Sequence, residues 1–245
     1  KRALIVTDKV INKLGFVDKV AKYLKEVGMK VEVFDEVEPE PSVETVMKGA
    51  ELAKKYGPDW FIGLGGGSCM DAAKAIWVLY ENPHIAVDAI NPLEKLGLRK
   101  KARLICIPTT SGTGSDATWA TIITDVKDER KMELSSREIV SDIVILDPEL
   151  PKSMPPKVVA DTALDALTHA IEGYVSQWRN DFSDALAIKA IQFIFKYLPR
   201  AYRNPEDKEA KEKMHNAATM AGMSFGNSQA GIAHAMGHSF GAIFH

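Results

Sequence analysis

The sequence predicts an α/β unit built on a parallel sheet, followed by an all-helical unit. Three observations carry this. Short apolar runs alternate with amphipathic helical stretches over the first 110 residues, and two Gly- and Ser-rich loops each follow an apolar run. After Asp147-Pro-Glu-Leu-Pro151 and Met154-Pro-Pro156 break that alternation, the remaining segments read as helix. In order, Ala3–Thr7 is an apolar strand, Lys13–Val27 an amphipathic helix and Val31–Phe34 a second strand. Val43–Tyr56 is a helix, Trp60–Leu64 a third strand that runs into glycines, Asp71–Tyr80 a helix and Arg103–Ile107 a fourth strand. Ala117–Thr124 and Lys131–Leu134, with the charged Lys127–Arg130 between them, form a hairpin, and Ile143–Leu146 is a further buried strand. The boundary is placed near Pro151, giving domains 1–151 and 152–245.

With 245 residues, 46% of them hydrophobic, the chain can bury a large core. A net charge of −2 leaves no global attraction to nucleic acid, and Arg99-Lys100-Lys101 is a short solvated run. Cys69 and Cys106 stand in unrelated contexts, which excludes a disulfide framework and a Cys-x-x-Cys metal site and fits a cytoplasmic protein. No apolar run reaches the ~18 residues of a spanning helix, so no membrane role is expected. Lys1 is not an initiator methionine, and Ala242-Ile-Phe-His245 stops inside an apolar stretch, so the chain is expected to be part of a longer protein.

The two loops have the composition of anion cradles. In Gly65-Gly-Gly-Ser68-Cys-Met-Asp71, Ser68 is expected to cap the next helix and Asp71 to close a capping box, while Gly66 and Gly67 let backbone amides approach a phosphate. A plain tight turn is the alternative. Pro108-Thr-Thr-Ser-Gly-Thr-Gly-Ser-Asp116 follows the fourth strand, and open α/β sheets bind ligands at such strand ends. Asp8, at the end of the first strand, is placed either to accept hydrogen bonds from a ribose diol or to cap the following helix, with Asp35 a weaker rival.

Two pairs at helical spacing point to a metal: Asp165-Ala-Leu-Thr-His169 and His234-Ala-Met-Gly-His238. A spacing of four puts each pair on one face, so two facing helices would present three imidazoles and a carboxylate to a divalent cation. Small neighbours such as Gly231, Ala235 and Gly237 permit close approach. His84 and His215 are expected to be solvated, and His245 is left unassigned. A cation that acidifies a bound hydroxyl, beside a nucleotide cofactor, implies hydride transfer.

In order along the chain, the following motifs together resemble the iron-dependent (group III) alcohol dehydrogenase family: Ala3-Leu-Ile-Val-Thr-Asp8, Gly65-Gly-Gly-Ser68-x-x-Asp71-x-x-Lys74, Ile107-Pro-Thr-Thr110, Met154-Pro-Pro156, Asp165-Ala-Leu-Thr-His169-Ala-Ile-Glu172 and Gly231-x-x-His234-x-x-x-His238. The resemblance implies the dehydroquinate synthase-like fold, with an α/β nucleotide-binding domain, a helical metal-binding domain and an active site between them. It implies NAD rather than NADP, with Asp8 on the adenosine ribose, and Fe²⁺ with Zn²⁺ as the other candidate. Gly66, Gly67 and Ser68 match the pyrophosphate loop, Thr109, Thr110, Thr113 and Thr118 a second cofactor loop, and Lys131 a lysine at the nicotinamide ribose. Asp165, His169 and His234 match three metal ligands; the fourth is a histidine fourteen residues after His234, past residue 245. His238, a ligand on bare spacing, becomes by resemblance a catalytic residue near nicotinamide and substrate. Glu40 replaces a residue that is often Asn, and Asp116 one that is commonly Glu. The implied reaction is on a short-chain alcohol or aldehyde, in a homodimer or higher homo-oligomer. The alternatives are a glycerol-type polyol dehydrogenase, a dehydroquinate synthase-like lyase, or an inactive nucleotide-binding fragment.

Overall fold

The computed structural model describes residues 1–244; His245 lies outside the described residues. The chain forms two compact units, residues 1–107 with 119–145, and residues 108–118 with 146–245.

The first unit is an α/β layer around a five-stranded sheet in the order β2-β1-β3-β4-β7. Its strands are β1 (Arg2–Val6), β2 (Lys30–Phe34), β3 (Trp60–Gly65), β4 (Arg103–Pro108) and β7 (Ile143–Val144). β1 pairs in parallel with β2 and β3, Ala3 lying opposite Val31 and Trp60. Ala3 to Val6 are wholly buried, which is why this run is apolar without alternation. The helix expected over Lys13–Val27 is α2 (Phe16–Glu26), preceded by a separate short helix, α1 (Lys9–Lys13). The break is Gly15, at φ 81°, a left-handed conformation that glycine adopts without steric cost. α3 (Val43–Tyr56) begins on Ser42, whose hydroxyl accepts the Thr45 N–H, and ends at left-handed Gly57.

α4 (Gly67–Glu81) is buried almost all round. It packs on β1, β3 and α3, and also on β5 (Ala120–Asp125), which forms an antiparallel hairpin with β6 (Arg130–Ser135). Two charged residues of α4 fasten the hairpin. Asp71 Oδ2 accepts the Ile122 N–H at 2.9 Å, and the fully buried Lys74 ammonium donates to the Ala120 carbonyl at 2.8 Å. Each charge thereby meets a backbone group of β5.

The second unit contains α5 (Pro156–Val175), α6 (Asp181–Arg203), α7 (Lys208–Ser228) and α8 (Ile232–Phe244). Pro156 opens α5 at its first position, and Asn180 with Ser183 forms a capping box on α6. The core is rich in alanine, including Ala166, Ala170, Ala187, Ala190 and Ala217, so the helices approach closely. Residues 108–118, which the boundary near Pro151 groups with the α/β region, pack here against α7. A Cβ on Gly114, at φ 62°, would fall 2.6 Å from Gly222 Cα. The Thr219 hydroxyl donates to Asp116 Oδ2 at 2.7 Å, and Ser111 Oγ pairs with His215 Nδ1 at 3.0 Å. His215 is therefore buried, 1% exposed, rather than solvated as expected from its charged neighbours. No helix among the described residues is long and apolar enough to cross a membrane.

Candidate functional site

Asp165, His169 and Glu172 share one face of α5, and α8 brings His234 to that face. One ligand atom from each of Asp165, His169 and His234 lies within 4.8 Å of the other two. His234 Nε2 is 3.6 Å from Asp165 Oδ1, and His169 Nδ1 is 3.9 Å from Asp165 Oδ2. The two imidazoles stack at 4.2 Å between centroids, and Phe225 also stacks on His169 at 4.2 Å. His169 Nδ1 and His234 Nε2 are buried with no hydrogen-bond partner. Buried nitrogens are rarely left so, and two of them facing a carboxylate fit the donor set of a divalent cation. Burial pushes His169 down from the usual 6.5 to about 4, against the pull of Asp165, and so keeps it neutral. Burial also acts to lower His234, but its hydrogen bond to Glu172 and the nearby Asp165 carboxylate prevail and raise it. Asp165 is held low: burial opposes its charge, and His234, with the other histidines, outweighs that. His238 lies one turn further along α8, half-buried, its ring centroid 6.2 Å from that of His234.

In the α/β unit, β3 ends at Gly65, where a Cβ would lie 2.5 Å from Cys69 Sγ. α4 starts at once on Gly67, with Gly66 as its N-cap and no side-chain cap. The first-turn amides of a helix have no partner within it, and its positive end faces the loop. Ser68, inside this turn, accepts the Glu40 N–H at 3.3 Å. Glu40 is held left-handed at φ 57°, and its carboxylate pairs with Lys131 of β6. Asp8 Oδ1 accepts the Val10 and Ile11 N–H groups at 2.7 and 2.8 Å, capping α1, while Oδ2 accepts the Cys69 thiol at 3.3 Å. Asp35 accepts the Asn12 amide at 2.7 Å. Thr109 and Thr118 are buried, whereas Thr110 and Thr113 are partly exposed, and Thr113 Oγ1 accepts the Ser115 N–H at 3.3 Å.

Residues 1–148 match the model of the iron-containing alcohol dehydrogenase family, and residues 159–245 match the model of its C-terminal region. The chain belongs to this family. A relative described as an NADPH-dependent butanol dehydrogenase of Clostridium saccharobutylicum is 48% identical over 246 residues, covering 100% of this chain and 63% of that protein. Aldehyde-alcohol dehydrogenase 2 of Entamoeba histolytica is 44% identical, covering 100% of this chain and 29% of the relative. An iron-containing alcohol dehydrogenase structure from Thermotoga maritima superposes with a TM-score of 0.91 at 38% identity, over 99% of this chain and 66% of that one. The chain thus spans less than two thirds of the length of these family members.

At the glycine loop the structure corrects a further expectation, and beside His234 it adds a residue. The capping box expected of Ser68 and Asp71 does not form: the helix starts earlier, on Gly67 with Gly66 as its N-cap, and Asp71 holds β5. The missed residue is Glu172. Its carboxylate accepts the Gly231 and Ala233 N–H groups at 2.9 and 2.7 Å and pairs with His234 Nδ1. Its legible signals were its place on the Asp165 face, seven residues on, and its position at the end of the motif that runs from Asp165 to Glu172.

Proposed function

We propose that this chain is the nucleotide- and metal-binding part of a metal-dependent oxidoreductase that moves hydride between a short-chain alcohol or aldehyde and NAD(H). The observation that carries the reading is the convergence of Asp165, His169 and His234, with two buried unpartnered nitrogens, in a chain whose relatives carry alcohol dehydrogenase names. These three residues would hold Fe²⁺, with Zn²⁺ as the other candidate. Bound there, the cation would supply Lewis acidity to the alcohol oxygen and NAD would supply the hydride acceptor. His238, one turn from His234, relays the hydroxyl proton. The first-turn amides around Gly66, Gly67 and Ser68 receive the pyrophosphate, Lys131 holds the nicotinamide ribose, and Thr109, Thr110, Thr113 and Thr118 line the cofactor. Asp8 favours NAD, because a 2′-phosphate beside its carboxylate meets like charge and desolvation. The reading includes a cytoplasmic, homo-oligomeric full-length protein.

The test uses protein of full family length, purified without oxygen, stripped with a chelator and reloaded with Fe²⁺ or Zn²⁺. Reduction of NAD⁺ by short primary alcohols should appear only after reloading; its absence with both metals defeats the reading. Asp8→Gly should shift the ratio of kcat/KM values toward NADP by about tenfold, or ~1.4 kcal/mol. If the unsubstituted enzyme already prefers NADP, as the name of the Clostridium relative indicates for that protein, Asp8 serves only as the α1 cap.

A further inference from the structure

We propose that Glu172 is a positioning residue for the metal site: its carboxylate selects the nitrogen of His234 that faces Asp165 and His169, and fixes the start of α8 that carries the ring. The proposal rests on the metal reading above. Glu172 touches none of the ligand atoms of the other two residues; it acts through His234.

The two ring nitrogens of His234 have different partners. Nδ1 meets Glu172 Oε2, and Nε2 meets Asp165 Oδ1 at 3.6 Å. An ionised carboxylate only accepts hydrogen bonds, so Glu172, in direct contact, holds a proton on Nδ1, while Nε2, beyond hydrogen-bond reach of Asp165, is the nitrogen left to offer its lone pair to a cation. A ligating imidazole must present such a lone pair, and a carboxylate behind it fixes the tautomer and increases basicity.

The second observation is the backbone. Glu172 is 8% exposed, and its remaining acceptor capacity goes to the Gly231 and Ala233 N–H groups at the beginning of α8. Those amides have no partner within the helix, so one side chain orients the ring and caps the helix that bears it. The third is the approach itself. A Cβ at position 231 would lie 2.8 Å from Glu172 Oε1 and 2.9 Å from its Cδ, so only glycine admits the carboxylate at this distance. The chain reaches Gly231 through Gln229, left-handed at φ 75°. A helix cap alone would need only the backbone contacts; the ring contact is additional.

The experiment compares Glu172→Gln with unsubstituted protein of full family length. Two quantities are read: Zn²⁺ and Co²⁺ dissociation constants by chelator competition, and the His234 tautomer in the metal-free protein by nitrogen-15 NMR. Glu172→Gln should weaken metal binding by about 10- to 100-fold and remove the preference for the Nδ1–H form, with helix content preserved. Glu172→Asp, which keeps the charge but withdraws it by one methylene, should retain more of both. Should Glu172→Gln fail to fold, Gly231→Ala carries the test, because it pushes the carboxylate back without changing its charge. Unchanged affinity and tautomer in Glu172→Gln overturn the proposal. So does weakened binding with the Nδ1–H form intact and a lowered melting temperature, which marks a cap only. If the unsubstituted protein binds neither metal, the metal reading fails, while the tautomer measurement still decides what Glu172 does.

Discussion

His234 and His238 lie one turn apart on α8, yet their surroundings divide them. His234 is gripped at Nδ1 by Glu172 and presents Nε2 to Asp165, whereas the His238 ring is tilted by 48° to that of His234. His234→Ala in protein of full family length should therefore lose most of its metal, because removal of one ligand from a small set strongly weakens retention. His238→Ala should keep its metal and lose turnover. Metal analysis of both variants decides the assignment; a metal-free His238→Ala reverses it. Sequence spacing made these two histidines equivalent, since four residues put both on one face. What separates them is a carboxylate 62 positions away in sequence, and no local pattern encodes that. Asp8 shows the opposite limit: its place after an apolar strand was legible, but helix cap and ribose acceptor use the same carboxylate at the same strand end.

At the scale of elements, the face of α7 carrying His215, Thr219 and Gly222 is a docking surface for residues 108–118. Burial outweighs the attraction of Asp147 and brings His215 from the usual 6.5 to about 4. Because the folded value lies below the unfolded one, the unfolded chain binds the extra proton between these limits, and stability rises with pH there. Acidification from pH 6.5 toward 4 should cost on the order of 3 kcal/mol at this residue alone. The fall in melting temperature across that range should be shallower in His215→Gln, and an unchanged slope would show that His215 is not its source. The charged segment Lys208–Lys213 hides this burial, since charge density suggests solvation, whereas His215 lies on the buried face of α7. Val43–Tyr56 was legible to its ends because a serine cap and a left-handed glycine bracket it. The start of α4 was not, because Gly66 and Gly67 are poor helix formers that the tertiary structure nevertheless recruits.

At the scale of the molecule, alternation and proline breaks made the parallel sheet and the helical region legible. They did not reveal that the helical unit draws residues 108–118 from an earlier stretch of chain, because a Ser- and Gly-rich connector carries no periodicity to show which surface it joins. A protein of residues 146–245 alone lacks the Thr219–Asp116 and His215–Ser111 bonds and uncovers Gly222. Two such bonds, at ~1 kcal/mol each, correspond to roughly 10 °C in a unit of this size. Its melting temperature should be lower by that amount than that of the same helices with residues 108–118 joined through a flexible linker. Coincident melting curves would show that the segment is only a passenger.

The discontinuity of the helical unit also sets a timetable for synthesis. Asp116 leaves the ribosome 103 residues ahead of Thr219, the residue that binds it. At about 5–20 residues per second, that interval lasts roughly 5–20 s. During this time Gly114 has no Gly222 to close upon, although Thr162 of α5, against which Gly112 packs, emerges well before α7. A nascent chain paused before α7 emerges therefore carries the Gly114–Asp116 part of this segment open and accessible to protease until the Ala218–Gly222 stretch arrives.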